Sequence, residues 1–231
     1  MPRAHSSPSP SRAKASCGSH WLTFPLAGLL TFSHWLACSR SARGSLCVAR
    51  RAAQVCTLAQ GCPLLCSLNL WVCSSVSDAG ICMLAVTCTH LESLDLRLCS
   101  KVSGNSVLAV ASHCPRLHAF YLERAGRVDN SAVRALAKGC VELRVLDLGW
   151  CDIGDEALEA LAHHCPQLST INLAYCEAIS DHGLELLCRG CSRLASLDIG
   201  GMRTQPCSCA CVSPRPPVHP CVSVLRSPTL G

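Results

Sequence analysis

Twenty-one cysteines in 231 residues invite three kinds of chemistry: disulfide pairing, soft-metal binding and thiolate attack. Three local arrangements make those ideas specific. Cys188 and Cys191 spell C-x-x-C, the spacing of a redox pair, and His163-His164-Cys165 has the composition of a ligand cluster. Cys207, Cys209 and Cys211, followed by His219 and Cys221, space soft ligands suited to zinc or copper. Plainer readings compete with each. His163 and His164 end a helical stripe, as His113 does before Cys114, where imidazoles suit the negative end of a helix dipole. The last cluster falls in a serine-rich stretch with five prolines between residues 206 and 220, so a disordered extension is expected, with no metal and no cofactor. Stoichiometric metal in the purified protein would say otherwise. No G-x-S-x-G, G-x-x-x-x-G-K or H-E-x-x-H occurs, and the paired acids Asp155-Glu156 sit at a helix start, so no catalysis is expected.

Spacing decides what ten of the thiols are for. Cys62, Cys88, Cys114, Cys140, Cys165 and Cys191 stand 26, 26, 26, 25 and 26 residues apart, and Cys73, Cys99, Cys151 and Cys176 follow four of them by eleven. A period this regular marks an internal repeat. The aligned units share C-x-x-L-x-x-L-x-L-x-x-C, with Phe120, Ile171 and Ile199 at leucine positions and Ala125 and Met202 in place of the second cysteine. Ten of the 21 cysteines are therefore repeat positions, where a thiol packs as a small hydrophobe or bonds within the turn. Cys188 replaces the alanine of other units, which makes its C-x-x-C a by-product of the repeat.

Two elements must carry each unit. The L-x-L core alternates with period two, as a short strand with one buried face does. After it, Ile81, Leu84 and Ala85 recur as Val107, Val110 and Ala111, as Val133, Leu136 and Ala137, and onward, the i, i+3, i+4 stripe of a helix. Ser77-Asp78, Ser103, Asp129-Asn130, Asp155 and Ser180-Asp181 precede the stripes and supply N-caps. One strand and one helix cannot bury their apolar faces alone, so the units must stack into a solenoid. Gln54–Cys62 aligns with Ala132–Cys140, which starts the array with a helix near residue 52. The chain divides into a disordered or degenerate region 1–52, repeats 53–202 and a disordered Pro/Cys-rich tail 203–231.

These units resemble the cysteine-containing class of leucine-rich repeat. Leu91 to Cys99, with Val76-Ser77-Asp78 after the preceding Cys73, is similar to the repeats of the F-box/leucine-rich-repeat family, and the resemblance covers residues 53–202. It implies an α/β leucine-rich-repeat solenoid, with parallel strands on the concave face and helices on the convex face. It also implies a protein–protein interaction role, recognising substrates for a cullin-type ubiquitin ligase; the alternative is a ligase-independent scaffold or inhibitor. In that family an N-terminal F-box docks onto the ligase's linker subunit. Here Pro25–Phe32 and Arg51–Cys56 echo fragments of one, but the acidic residue expected near the first is absent and the second overlaps the first repeat helix. The linker subunit is a partner only where an F-box is present.

On the inner face, side-chain alternation exposes the position between the two leucines: Asn69, Asp95, Tyr121, Asp147, Asn172 and Asp198. Two residues on, the column reads Trp71, Arg97, Glu123, Gly149, Ala174 and Gly200. Three carboxylates and two amides in a row favour a basic or hydrogen-bonding protein partner, although strands need polar residues on a solvated face whether or not anything binds. The partner-binding candidates are Asn69, Trp71, Asp95, Arg97, Tyr121, Glu123, Asp147, Asn172 and Asp198. Trp150 and Tyr175, each just before a repeat cysteine, read either as rim contacts or as cover for the sheet edge.

Bulk composition removes other classes. The net charge of +5 comes from the ends: residues 1–61 hold seven Lys/Arg and no acid, 62–202 hold all fifteen acids against ten bases, and 203–231 hold three Arg. With 4% aromatics, nucleic acid is not an expected partner. Pro25, Ser33 and His34 interrupt the apolar stretch Trp21 to Cys38, so no membrane span is expected. Regularly spaced thiols and the lack of any N-x-S/T site fit a reducing compartment, cytoplasmic with nuclear as the second choice. Leu194, Leu197 and Ile199 run into Gly200-Gly201 without a polar capping layer, which reads as a partial or variant product of a longer repeat protein. The full chain is therefore expected to self-associate in size-exclusion chromatography; a monodisperse peak with cooperative melting would contradict this.

Overall fold

The computed structural model describes residues 45–46, 52–202 and 223–225. Eight strands form one parallel sheet in chain order: β1 (Ser45–Leu46), β2 (Ser67–Asn69), β3 (Ser93–Asp95), β4 (Ala119–Tyr121), β5 (Val145–Asp147), β6 (Thr170–Asn172), β7 (Ser196–Asp198) and β8 (Ser223–Leu225). Six ten-residue helices alternate with them: α1 (Ala52–Gly61), α2 (Asp78–Thr87), α3 (Gly104–His113), α4 (Asn130–Gly139), α5 (Asp155–His164) and α6 (Asp181–Gly190). The protein is a leucine-rich-repeat solenoid. β1 and β8 extend the sheet one strand beyond each end of the repeats read from the sequence; the rest of 1–52 and 203–231 lies outside the described residues, apart from Ala52.

Register follows from burial. Leu68, Leu94, Phe120, Leu146, Ile171 and Leu197 pair in one row across the sheet, and all are buried. Leu70, Leu96, Leu122, Leu148, Leu173 and Ile199 make a second buried row. A slip of one residue would turn both rows toward solvent. The backbone ladder continues past the strands: the N–H groups of Val72, Leu98, Arg124, Trp150 and Tyr175 donate to carbonyls of the next unit at 2.8–3.0 Å. Those five residues all have φ between 49° and 64°, and Gly201, their counterpart in the sixth unit, has φ 69°.

The thiols bond between units rather than mainly within turns. Cys88 Sγ donates to the carbonyl of Cys62 at 3.3 Å, and Cys114, Cys140, Cys165 and Cys191 each reach the preceding repeat cysteine's carbonyl at 3.4–3.9 Å. At the second position Cys99 donates to Leu70 O (3.2 Å) and Cys176 to Leu148 O (3.1 Å), again one unit back. A thiol suits this place because it is small and apolar enough for the core yet carries a weak donor for a carbonyl at a helix end or turn. Gly139 and Gly190 show how close the layers come, since a Cβ on either would run into the carbonyl of Ala111 or Ala162 in the preceding helix.

The helix starts are also joined across units. Ser103, Asp129 and Ser180 cap their own helices, accepting from Asn105, Ala132 and His182, as the sequence suggests. Ser77 makes no side-chain cap bond, and Gly154 takes the cap position of α5. Asp78 and Asp155 reach forward instead: Asp78 accepts from Ser103 N and Oγ (2.7 and 2.6 Å) and from fully buried Ser106, and Asp155 accepts from Ser180 N (2.8 Å). Burial opposes ionisation of Asp78, but the bonds from Ser103 and Ser106 outweigh it and hold the carboxyl below its ordinary range. Asp181, at the same position of α6, keeps a buried Oδ1 with no hydrogen-bond partner.

Burial pushes Cys88, Cys140, Cys165 and Cys191 up to about 12, and Cys99, Cys114 and Cys176 up to about 11. At neutral pH they are protonated and unreactive. Iodoacetamide labelling at pH 8 with peptide mapping should therefore modify Cys66 and Cys188, which are partly exposed, well before these seven. The seven should react only once urea unfolds the array; early modification of Cys140 would contradict the packing.

Candidate partner-binding face

The inner-face column assembles in register: Asn69, Asp95, Tyr121, Asp147, Asn172 and Asp198 pair strand to strand. Five of the six share a local task that periodicity does not reveal. Asn69, Asp95, Asp147, Asn172 and Asp198 each turn Oδ1 onto the backbone N–H two residues on, at 2.9–3.2 Å. This Asx-type bond supports the turn that follows each strand. Asp95 and Asp147 are only 5% and 8% exposed, so they are part of the framework as well as of the surface.

Arg97 organises the first half of the face. Its guanidinium makes a forked pair with Asp95, Nε to Oδ1 at 3.0 Å and Nη2 to Oδ2 at 2.7 Å. It also lies 5.1 Å from the Tyr121 ring centroid and 5.8 Å from that of Trp71. An arginine between two aromatic faces gains from both ring quadrupoles and stays ordered. Trp71 remains 57% exposed. The second half is lower: Gly149, Ala174 and Gly200 are buried, leaving the acids Glu123, Asp147 and Asp198 beside a floor of small residues.

Burial raises the Asp147 carboxyl to about 6, with Glu123 and Asp95 pushing the same way and the Gly149 N–H and Arg97 opposing them. The acidic column is thus not a row of equivalent charges: Asp95 is neutralised by Arg97, and Asp147 is ionised reluctantly.

A rim that sequence reasoning only half saw runs beside the column, made of the left-handed residues before the second cysteine position. Arg124 lies 4.5 Å from the Trp150 ring centroid, Trp150 stacks on Tyr175 at 4.0 Å and 14°, and the Tyr175 ring covers Gly201. Trp150 and Tyr175 therefore form one stacked ledge along the rim, with Trp150 still 45% exposed. Val72 and Leu98 continue this exposed line toward Trp71. Their shared place one residue before the cysteine position was the available signal.

Among the described residues no group of three or more His, Cys, Asp or Glu gathers as metal ligands do, and no helix is long and apolar enough to cross a membrane. Nδ1 of His113 and of His163 bonds the carbonyl four residues back, Ala109 and Glu159, at 2.9 and 2.8 Å. The tail cluster Cys207 to Cys221 and the fragment Pro25–Phe32 lie outside the described residues.

Comparison with known proteins agrees with this architecture. A family model described as "Leucine Rich repeat" matches residues 87–111, 140–162 and 164–188, three stretches of the array. Leucine-rich repeats serve generally as protein-interaction scaffolds. No curated protein sequence matches the chain. A chain from the crystal structure of the Rad7 and Elc1 complex in yeast is similar at TM-score 0.60 and 19% identity, over 76% of this chain and 44% of that one. Internalin C2 from Listeria monocytogenes str. 4b F2365 is similar at TM-score 0.47 and 16% identity, over 71% of this chain and 62% of that one. The likeness is one of fold, and this chain spans less than half the length of the yeast chain.

Asp147→Asn tests the electrostatics. The folded carboxyl titrates at about 6 against an ordinary 3.8, so its contribution to stability is full below 3.8 and is lost as pH rises through about 6. Asn keeps the acceptor for the Gly149 N–H, as Asn172 does for Ala174. Denaturant unfolding should find the variant more stable than wild type by about 1–3 kcal/mol at pH 7.5, with the difference gone at pH 4.

Proposed function

We propose that this chain is a protein-recognition module whose concave face holds a partner at Trp71, Arg97 and Tyr121, in the setting of substrate recognition for a cullin-type ubiquitin ligase. The observation that carries the first part is an exposed tryptophan beside an ordered arginine, the two residue types most often found as binding hot spots. Around them Glu123, Asp147 and Asp198 outnumber the one cation Arg97, which suits a partner segment with basic side chains. Asn69, Asp95 and Asn172 shape that surface by fixing its turns. The ligase setting rests on the family form of the repeats. The Rad7 and Elc1 structure is an example of a repeat-like fold in a two-protein complex, the kind of assembly this reading requires.

One observation favours a ligase-independent scaffold or inhibitor. Residues Ala52–Cys56, within the second F-box echo, form the first turn and a half of α1, the opening helix of the array. If no docking segment lies elsewhere, the module acts alone.

Affinity capture from cells with the full chain and with Trp71→Ala separates these readings. Trp71 bonds Asn69 through its backbone, and its largely exposed ring flanks only the partly exposed Arg97 side chain on this face, so the variant should melt close to wild type. A concave-face partner should bind it about tenfold or more weakly, whereas the ligase's linker subunit, if bound, should be captured equally by both. Undiminished capture of every partner by Trp71→Ala would remove the site, and absence of the linker subunit from both would remove the ligase setting.

A further inference from the structure

The outer side of the helix layer changes character halfway along. Six residues before each first-position cysteine the column reads Cys56, Cys82 and Leu108, then Arg134, Glu159 and Glu185. Two residues before it, the column reads Gln60, Val86 and Ser112, then Lys138, His163 and Arg189. Helices α1 to α3 contain a single Asp, Glu, Lys or Arg, Asp78, and its carboxylate is taken up by Ser103 and Ser106 rather than by solvent. The result is an exposed apolar patch: Met83 (42%), Val86 (55%) and Leu108 (41%) around partly exposed Cys82. A helix such as α2, apolar on its outer side as well as its inner side, normally has cover on both.

The same chain holds a segment with the matching need. Trp21–Cys38 is eighteen residues without one Asp, Glu, Lys or Arg and includes Trp21, Phe24, Phe32 and Trp35, four of the nine aromatic residues. We propose that Trp21–Cys38 lies across the outer face of α1 to α3 and covers Met83, Val86 and Leu108. Chain geometry permits it. β1 anchors Ser45 beside β2 at the sheet edge, and the seven steps back to Cys38 span up to about 25 Å. That is enough to pass round to the adjoining helix layer. Neighbouring helices pack about 8–10 Å apart, so the three cover roughly 20 Å, within reach of eighteen residues in either helical or extended form. The absence of Asp, Glu, Lys and Arg from 21–38, and of any but the satisfied Asp78 from the three helices, lowers the desolvation cost that would oppose such a contact.

Hydrogen exchange on the full chain tests this, comparing wild type with Val86→Lys/Leu108→Arg, which installs the side chains that α4 carries at the same places. Peptides from residues 21–38 should exchange about tenfold or more slowly in wild type and lose that protection in the variant, while α4 to α6 keep theirs. Should the variant unfold throughout, bismaleimide cross-linking of the unaltered protein decides instead, using mixed light and heavy isotope-labelled chains. A Cys38–Cys82 or Cys38–Cys56 link within one chain supports the contact. Fast exchange of 21–38 in wild type, protection that the variant retains, or cross-links absent or formed between two chains would each overturn it, the last in favour of a second copy as the cover.

Discussion

Everything in this molecule follows from the inability of one strand and one helix to bury their own apolar sides. Each layer finds its core only in its neighbours, so all layers must share the same rise and register. The buried rows through Leu68 and Leu70 express that requirement in the sheet, and Gly139 and Gly190 express it between helices. The price appears in the turns. Val72, Leu98, Arg124, Trp150 and Tyr175 sit in the left-handed region, which costs a side-chain-bearing residue about 1–2 kcal/mol. The conformation persists because it aims each of their N–H groups at the next unit's carbonyl and extends the ladder beyond the strand.

Polar groups between layers obey the same constraint. A buried donor or acceptor facing the next unit has to be met there, and the sequence meets it with small side chains: the thiol of Cys140 on Cys114 O, the Ser106 hydroxyl on Asp78, the Asn130 amide oxygen on Gly154 N. High thiol pKa values are a consequence of this placement. The cysteine content that suggests redox or metal chemistry in a composition table is, across the array, a packing and hydrogen-bonding device.

Much of the fold could be read directly because a single period carries it. The cysteine interval located the strands, the i, i+3, i+4 stripe located the helices, and stacking in register put Asp95 beside Tyr121 and Asp147. What escaped was whatever depends on the distance between units rather than along them. Nothing in the spacing says that Asp78 serves Ser103 and Ser106, or that Arg97 folds back onto Asp95 between two rings. The Asx bonds were missed for a different reason: a residue that supports a turn and one that offers charge to a partner look alike in a column. β1 and β8 were missed because Ser45–Leu46 and Ser223–Leu225 lack the cysteine that marks the other units.

Turn support and the recognition proposed for this face therefore draw on the same side chains, and this limits which positions can change freely. Asp95, Asp147, Asn172 and Asp198 cannot be exchanged for basic or apolar residues without releasing a backbone N–H. Position 121 carries no such duty, and the second column, from Trp71 to Gly200, bears side chains from indole to hydrogen. Substitutions that leave the turn bonds intact are confined to those places and to the rim. In this chain they hold Trp71, Arg97 and Tyr121 at one end and Gly149, Ala174 and Gly200 at the other. The concave face is consequently a projecting aromatic–arginine cluster next to a shallow acidic floor.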